Sequence, residues 1–372
     1  MELRIYDTAL NLLGVIDKIT SLIWTRRYWS CGEFKLLVPH TAHNAELLKI
    51  NRLIMKRGDD EAGQIRYLNI KRDTQEKENI EIHGKFLARW IGKRIVRNQI
   101  ITTATIPAVM RRIIQENVTS PADINRKIHN ILVADIAGIN RPAVEYVTEE
   151  YTNALLAIET AAKTAGLGFG IYTDARELNH TFRIYDGLDL SADQQTYQPC
   201  IFSQEFDNVL EEEFTNSIEN IKTTAYVGGE EKENVIRQIV EVNPAAAGLD
   251  RDEIFISASD VKQEYRENNV TITIPLPRYL DMLRQRGRDD LENFTEILAF
   301  SSRVNTQSNL KYKEDYDLGY IVTCVNKAWG VRVNVRITQI EETYQGKENA
   351  DIEITFGEAM PALFDAIRQI IK

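Results

Sequence analysis

The residues that could ligate a metal are few and scattered. Among the five histidines, only His40 and His43 lie close together, three positions apart. That spacing suits metal ligation only if both side chains share one helix face and a third ligand joins them. Pro39 and Thr41 place His40 ahead of a predicted helix. The sequence therefore favours no metal site, and no cofactor is expected.

Two other stretches could act in catalysis in a suitable setting. The run Glu211, Glu212 and Glu213 offers carboxylates for acid–base chemistry, but consecutive acids are usually solvated surface charges. The glycines of Gly166–Gly170 could hold a phosphate only after a strand and before a helix, whereas this stretch closes a helix and opens a hairpin. The sequence has no Gly-x-Ser-x-Gly, His-Glu-x-x-His or Walker lysine motif. We therefore expect no enzymatic activity.

Length and composition describe a folded chain with more than one core. The 372 residues suggest two or three compact units, and 43% hydrophobic with 27% charged residues is typical of globular proteins. The apolar runs are too short to cross a bilayer; Ile131–Ala137, for example, is interrupted by Asp135. Glu2 and Arg4 do not fit a signal peptide, so we expect synthesis in the cytoplasm without cleavage for export.

The charge and the cysteines exclude further classes of protein. A formal net charge of −10 argues against a protein that binds nucleic acid by neutralising phosphates. The basic stretch Arg89–Arg97 alternates aliphatic and cationic residues, which predicts a strand with one solvated face rather than a DNA-binding patch. Cys31, Cys200 and Cys324 are odd in number and far apart, so they indicate a reducing compartment rather than disulfides or a zinc site.

The hydrophobic pattern predicts an α+β fold that begins with a β-rich segment. Residues 1–97 form short strands with a helix capped by Thr41, which is typical of a small antiparallel β-barrel. Residues 98–197 form an α+β insert. Its two helices are predicted to begin at Thr105 and Thr148.

The second half of the chain repeats the change from β to α and back. Residues 198–245 form a β segment that returns to the hub or barrel core, and residues 246–305 form an α-rich peripheral domain. This domain contains a predicted helix from Pro277 to Phe300. Residues 306–372 form a second β-barrel with a C-terminal helix, Pro361–Ile371. The predicted fold thus has two barrel-like domains with α+β domains between them.

One hairpin sequence occurs near both ends of the chain. The stretch Arg66–Gly84 is echoed by Arg336–Gly357 at an offset of 270 residues. The matched positions are Arg66 and Arg336, Ile70 and Ile340, and the triplets Lys77, Glu78, Asn79 and Lys347, Glu348, Asn349. Hairpins with polar turns can also look alike by chance. If the echo is a duplication, three chains around a threefold axis would present six similar β units.

Five longer stretches resemble a known family. They are Leu22–Pro39, Gly84–Val96, Phe202–Glu230, Leu249–Asp260 and Tyr316–Ile340. In this order they resemble the siphovirus tail hub family of Gram-positive phages, prophages and phage-tail-like bacteriocins. That family is similar in turn to the baseplate hub of the T-even phages. After Asp-Tyr-Asp-Leu-Gly the family pattern has an acidic residue where this chain has Tyr320.

The resemblance implies a structural role in a virion or a phage-tail-like particle. It implies a homotrimer at the distal tail end, whose two hub domains per subunit form a pseudo-sixfold ring between the hexameric tail tube and a threefold tip or spike. The implied partners are the tube protein, distal tail or baseplate proteins, the tape measure and the spike or tip protein. No membrane and no sequence-specific nucleic acid are implied, although DNA would pass through the lumen.

Within that picture, the turns at Lys77–Asn79 and Lys347–Asn349 are the candidate contacts to the tube or another partner. Two other functions stay open at this point. A tail-associated cell-wall hydrolase would need catalytic acids, although no appended hydrolase domain is expected because the chain ends at Lys372. A receptor-binding tip protein would need an exposed aromatic patch around Trp24, Tyr28 and Trp29, but barrel core is the preferred interpretation of these residues.

Overall fold

The computed structural model describes residues 1–72, 77–149, 151–267, 270–346 and 349–357. The first seven strands are β1 (Leu3–Tyr6), β2 (Leu12–Ile16), β3 (Ser21–Arg27), β4 (Glu33–Pro39), β5 (Leu53–Lys56), β6 (Ala62–Arg72) and β7 (Glu78–Phe86). The next seven are β8 (Ile101–Thr105), β9 (Ile131–Val133), β10 (Ala143–Val147), β11 (Gly168–Asp174), β12 (Asn179–Tyr185), β13 (Ile201–Ser203) and β14 (Val209–Ser217).

The remaining described strands and the helices follow in the second half and between the strands. The strands are β15 (Thr224–Gly228), β16 (Ile239–Val242), β17 (Glu253–Ser257), β18 (Glu264–Glu267), β19 (Val270–Thr273), β20 (Ile297–Val304), β21 (Ile321–Asn326), β22 (Val331–Tyr344) and β23 (Asp351–Gly357). The α-helices are α1 (Ala42–Leu47), α2 (Ile106–Ile114), α3 (Ala154–Ala165) and α4 (Leu276–Leu291). The predicted α+β class is confirmed.

The chain separates into two compact units, each built from separate stretches of sequence. Unit 1 contains Met1–Arg89, Leu167–Asn216 and the described residues from Ile297 onward. Unit 2 contains Trp90–Gly166 and Ser217–Glu296. The finer division into five consecutive segments stays a prediction.

Unit 1 is built on one sheet of 13 strands. Its order is β14-β20-β23-β22-β3-β4-β7-β6-β5-β1-β2, with β21 also beside β22 and β13 beside β21. The sequence predicts two barrel-like domains, one from each end of the chain. In the structure, strands from both ends belong to this one sheet, in which β22 pairs with β3.

Two sets of strands in this sheet have the same order. The first runs β1-β5-β6-β7-β4-β3 and the second runs β13-β21-β22-β23-β20-β14. Strands at the same place also have the same rank along the chain, so that β6 corresponds to β22 and β3 to β14. The sets differ at one end, because β1 is antiparallel to β5 whereas β13 is parallel to β21. The sheet thus contains one topology twice.

The register of the two hairpins, β6–β7 and β22–β23, agrees as well. Each contains a bulge in its first strand, at Arg66 and at Thr338 respectively. Paired residues beside the bulges are Ile65–Gly84 and Tyr67–His83 in the first hairpin, and Ile337–Phe356 and Gln339–Thr355 in the second. Equivalent residues are therefore 272 positions apart. The offset of 270 predicted from the sequence echo is wrong by two residues.

Buried aromatic and aliphatic side chains hold both sets together. In the first set, Trp24 packs on Phe34 and Phe86, with ring centroids 5.7 and 4.6 Å apart. In the second, Phe356 packs on Phe202 and Phe300 at 5.0 and 6.0 Å. All of these rings are buried, and burying a side chain of this size stabilises a fold by about 1.5–3 kcal/mol.

In unit 2, helix α4 covers a small sheet of β16, β15 and β17. Tyr279, Met282 and Leu283 of the helix belong to one buried cluster with Val227 and other strand residues. Gly287 lets the helix approach this sheet closely, because a Cβ there would lie 2.6 Å from Val227 Cγ2 and 2.7 Å from Val242 Cγ2.

Three of the four helix ends predicted from capping residues agree with the structure. Thr41 and Thr105 accept hydrogen bonds from backbone N–H groups of α1 and α2, as predicted. Gly166 ends α3 in the left-handed conformation. The predicted cap Thr148 is wrong: Asn153 caps α3, while Thr148 accepts from the Ile100 N–H.

Two predicted elements differ from the structure. The basic stretch Arg89–Arg97 is not a strand, since Leu87–Lys93 is a 3-10 helix that buries Leu87 and Ile91, four positions apart. The predicted helix from Pro277 to Phe300 ends at Leu291. From Ile297 the buried positions alternate, and the chain forms strand β20. The predicted helix Pro361–Ile371 lies outside the described residues.

Candidate assembly site

Arg26 is a buried cation in the middle of the large sheet. It lies on β3, and its guanidinium donates hydrogen bonds to Glu61 and, at 2.7 Å, to Asp317 Oδ1. It also donates to the Tyr312 hydroxyl at 2.9 Å. Because Asp317 and Tyr312 come from the last part of the chain, Arg26 joins the two strand sets through side chains.

Lys56, at the end of β5, is a second buried cation at this junction. Its ammonium contacts Glu342 of β22 and lies 3.4 Å from Asp59 Oδ2. It also lies 5.7 Å from the Trp24 ring centroid and 5.5 Å from that of Tyr344, where the aromatic faces attract a cation. The Tyr344 hydroxyl donates to Glu342 Oε2 at 2.7 Å.

These contacts form a junction network that is shared by both ends of the chain. Its charged members are Arg26, Lys56, Asp59, Glu61, Lys313, Asp317 and Glu342. A buried ion pair adds little net stability, because desolvation cancels most of the attraction. Removing one partner, however, leaves an uncompensated charge and costs about 3–5 kcal/mol. Any other register of β22 against β3 would separate these charges from their partners and is therefore disfavoured.

The acid Asp59 shows how strongly the network is coupled. Burial opposes its ionisation, but Lys56, Lys313 and Arg26 outweigh burial and lower the pKa of Asp59 to about 2. The folded pKa is thus below the unfolded value near 4. The stabilisation from Asp59 is present above about pH 4 and is lost as the pH falls towards 2.

This network was not predicted from the sequence, although the sequence contains an indication of it. Leu22, Trp24 and Arg26 occupy alternate positions of β3, and all three are buried. Lys56 likewise ends a strand whose four residues are all buried. A charged residue at a core position of an alternating strand indicates a buried ionic partner, because an unpaired charge there would be too costly.

The predicted contact turns lie at the ends of the two hairpins. Lys77 is exposed just before β7, and Glu78 and Asn79 are the first residues of that strand. The Glu78 carboxylate contacts Arg72 and lies 3.2 Å from His40 Nδ1. Asn349 is exposed ahead of β23, while Lys347 and Glu348 lie outside the described residues.

The asparagines that end the two triplets, Asn79 and Asn349, do not occupy equivalent positions. With the structural offset of 272 residues, Asn349 corresponds to Lys77, and Asn79 corresponds to Asp351. Asn79 and Asn349, which match in the sequence echo, are therefore displaced by two residues in the structural alignment of the hairpins. A partner contact by any of these six residues stays a prediction.

The residues considered for catalysis or metal binding are separated in the structure. His40 faces Glu78, whereas His43 Nε2 lies 3.0 Å from the Val15 carbonyl oxygen. Within the described ranges, no group of three histidine, cysteine or acidic residues could hold a metal ion. In the acidic run on β14, Glu211 and Glu213 are exposed, and Glu212 accepts from Asn326 at 2.7 Å.

Two further expectations concern glycines and aromatic residues. Gly166 closes α3 and Gly168 opens β11, so the glycine-rich stretch has the predicted helix-to-hairpin context rather than that of a phosphate loop. Trp24 and Tyr28 are fully buried, which confirms their interpretation as core. Tyr320 packs partly buried against the core of the second strand set.

No described helix has both the length and the apolar character needed to cross a membrane.

The fold is similar to that of solved tail proteins, two of which come from prophages. One is prophage tail protein gp18 from Listeria monocytogenes EGD-e, with a TM-score of 0.57, 14% identity, and coverage of 100% of this chain and 98% of that chain. Another is a tail protein from Neisseria meningitidis MC58, with a TM-score of 0.57, 9% identity and 96% coverage of both chains. A third is the 43 kDa tail protein of prophage MuSo2 from Shewanella oneidensis, with a TM-score of 0.57, 12% identity, and 96% and 98% coverage.

The family follows from the sequence itself. The chain belongs to the family of the siphovirus ReqiPepy6 Gp37-like protein, whose model matches residues 2–358. No curated protein sequence matches the chain significantly. The resemblance to siphovirus tail proteins that the sequence predicted is thereby confirmed.

Proposed function

We propose that the protein is the structural hub of a phage tail or phage-tail-like particle. Three chains close into a ring in which each contributes two β modules, and this ring adapts a hexameric tail tube to a threefold tip or spike. The observation that carries the proposal is the recurrence of one six-strand order twice in unit 1. Two similar modules per chain give six around a threefold axis.

The junction network supports this role physically. A ring closes only if the angle between successive modules is fixed, and the two modules of one chain are joined by a continuous sheet and buried ion pairs. Such a joint resists slippage, since a shift of one residue would turn core side chains to the opposite face. The function would then be geometric, with no need for catalysis.

The proposed partners follow from this position in the particle. They are the tail tube protein on one side and the tip or spike on the other, together with distal tail or baseplate proteins and the tape measure. The turns at Lys77–Asn79 and Lys347–Asn349 are candidates for the tube contact. If DNA passes through the ring, the net charge of −10 would help to keep phosphates from adhering.

The first test is the assembly state of the purified chain. Multi-angle light scattering should give three times the 42.7 kDa of one chain, and negative-stain images should show rings with six similar lobes. Replacing Lys77–Asn79 and Lys347–Asn349 by Gly and Ser should weaken binding to tube protein without changing the trimer. A chain that stays monomeric at every concentration would overturn the hub proposal.

A further inference from the structure

The junction inside the chain has a counterpart whose strands lack a partner. Strand β22 pairs with β21 up to Arg336 and with β3 from Gln339 to Tyr344. The equivalent strand β6 pairs with β5 up to Gln64, which corresponds to Arg336. Beyond it, on the same edge, no strand in the described parts of the chain pairs with the segment Tyr67–Arg72. We call this segment the open β6 edge.

Strand β14 is open in the complementary way. It corresponds to β3, which has β4 on one side and β22 on the other. Among the described strands, β14 pairs only with β20. Each chain thus has one occupied junction, β22 with β3, and the two unpaired halves of a second one. Unpaired strand edges of this kind are templates for pairing with another chain.

Side chains on the open β6 edge are more exposed than those at the equivalent positions of β22. On β22, the core-facing residues Ile340 and Glu342, which pair with β3, are 0% and 4% exposed. Their equivalents on β6 are Leu68, which is half-buried, and Ile70, which is 51% exposed. On β14, Leu210 is 53% exposed. Apolar side chains therefore reach solvent on both open strands, where the occupied junction buries its residues.

The charges on the open strands are complementary. The β6 edge and its bulge carry Arg66, Lys71 and Arg72, all exposed, whereas β14 carries Glu211, Glu212 and Glu213. Lys71 and Arg72 also contact Glu81 and Glu78 of their own hairpin, in pairs that stay open to solvent. In the occupied junction the signs are reversed. There Arg26 and Arg27 lie on β3, and the acids Glu341 and Glu342 lie on β22.

We propose that the open β6 edge of one chain pairs with β14 of the next chain and that this contact builds the ring. The inference rests on the proposed function and names the surface through which a second copy of the chain binds. The contact joins different strands of the two chains, so it repeats from chain to chain and closes after three. The ring then has six equivalent junctions, three within chains and three between them. The reversed signs disfavour pairing of β6 with β3.

Cysteine cross-linking tests the contact directly. Asn69→Cys on β6 is combined in turn with a single cysteine at each position from Glu211 to Thr215 on β14. The three native cysteines are buried, so they should not interfere. At least one pair should give disulfide-linked dimers and trimers on non-reducing gels, while the single variants should not. A trimeric wild type in which no pair cross-links would overturn the proposed contact but leave the hub proposal standing.

Charge reversal provides a second test that does not depend on disulfide geometry. The variants Lys71→Glu/Arg72→Glu and Glu211→Lys/Glu213→Lys should each raise the concentration at which trimers dissociate by about tenfold or more, because like charges then face each other. The combination of all four changes should restore the trimer, since opposite charges face again. This recovery also shows that the parent variants had not simply failed to fold.

The matched control is Glu219→Lys/Glu233→Lys, which changes the charge equally at exposed positions of unit 2. It should leave trimer dissociation unchanged. If the two reversals and their combination all behave like the wild type, the β6–β14 contact is wrong. If the wild type is itself a monomer, the hub proposal fails first, so the two failures are distinguishable.

Discussion

At the scale of single residues, the informative side chains are the buried charged ones. Arg26 and Lys56 lie where an alternating strand would normally place an apolar residue, and each is held by carboxylates from both ends of the chain. Their presence could be read from the sequence as an exception to the core pattern. Their partners could not, because Asp317 and Glu342 are far away in the chain and only the folded sheet brings them together.

Substitution of Lys56 tests how much the junction network contributes to stability. Lys56→Met keeps the volume but leaves the buried Glu342 without its cation and Asp59 with Lys313 and Arg26 alone, so we expect a loss of about 3–5 kcal/mol in the free energy of unfolding. Urea denaturation measures it. Adding Glu342→Gln should recover part of the loss. Lys18→Met, at an exposed position, should change stability by less than about 0.5 kcal/mol. Equal effects of the two methionine variants would contradict this role.

The buried acid Asp289 should make the stability of unit 2 depend on pH. Burial raises the pKa of Asp289 to about 6, although the Gln285 amide donates to its carboxylate at 2.9 Å and Arg286 also favours the charged form. Below about pH 4 the acid is protonated in the folded and unfolded states, so it carries no penalty. As the pH rises from about 4 to 6, the unfolded state loses the proton first, and folding loses stability on the order of 2–3 kcal/mol.

Asp289→Asn removes this titration while keeping an acceptor for Gln285. The variant should therefore gain stability relative to the wild type between pH 4 and pH 7, as measured by urea denaturation at both values. Stability profiles that run parallel over this range would show that Asp289 does not titrate as proposed.

At the scale of secondary structure, capping and periodicity predicted much, and their failures have physical reasons. Thr105 with Pro107, and Gly166, mark ends of helices as the rules state. The predicted start of α3 at Thr148 is wrong because Asn153, five residues later, accepts the hydrogen bonds from the N–H groups of the first turn. The Thr148 hydroxyl accepts from the Ile100 N–H instead. The end of α4 was wrong because the apolar residues of β20 continue its pattern closely enough to hide the change of period. The α+β class could be predicted correctly even though these helix boundaries were wrong.

Replacing Gly287 by alanine should lower the stability of the protein, although helix propensity alone predicts an increase. An alanine in a helix is normally about 1 kcal/mol more favourable than a glycine. At Gly287, however, the new methyl group would meet Val227 and Val242 at less than 3 Å. We expect Gly287→Ala to destabilise the protein by about 1–3 kcal/mol in thermal or urea unfolding. A stabilised variant would show that α4 does not approach the sheet this closely.

At the scale of the whole molecule, the repeated strand order is the central observation. The sequence echo pointed to it, but at an offset two residues too small, because shared letters in a turn carry less information than the pairing of strands. The bulges at Arg66 and Thr338 define the equivalence. No sequence pattern could show that β22 continues onto β3, since that contact joins residues about 300 positions apart. The candidate assembly site therefore depended on the structure, whereas the tail family did not.

The corner between β3 and β4 holds only Tyr28 to Gly32, whereas the matching corner between β14 and β20 holds residues 218–296. One copy of the repeat thus keeps a plain turn, and the other carries a large insertion between neighbouring strands. Because both ends of that insertion are fixed by adjacent strands, its length and content can change without altering the pairing around it. We therefore expect members of the family to differ in the length and sequence of this segment while the strands on either side of it keep their pairing.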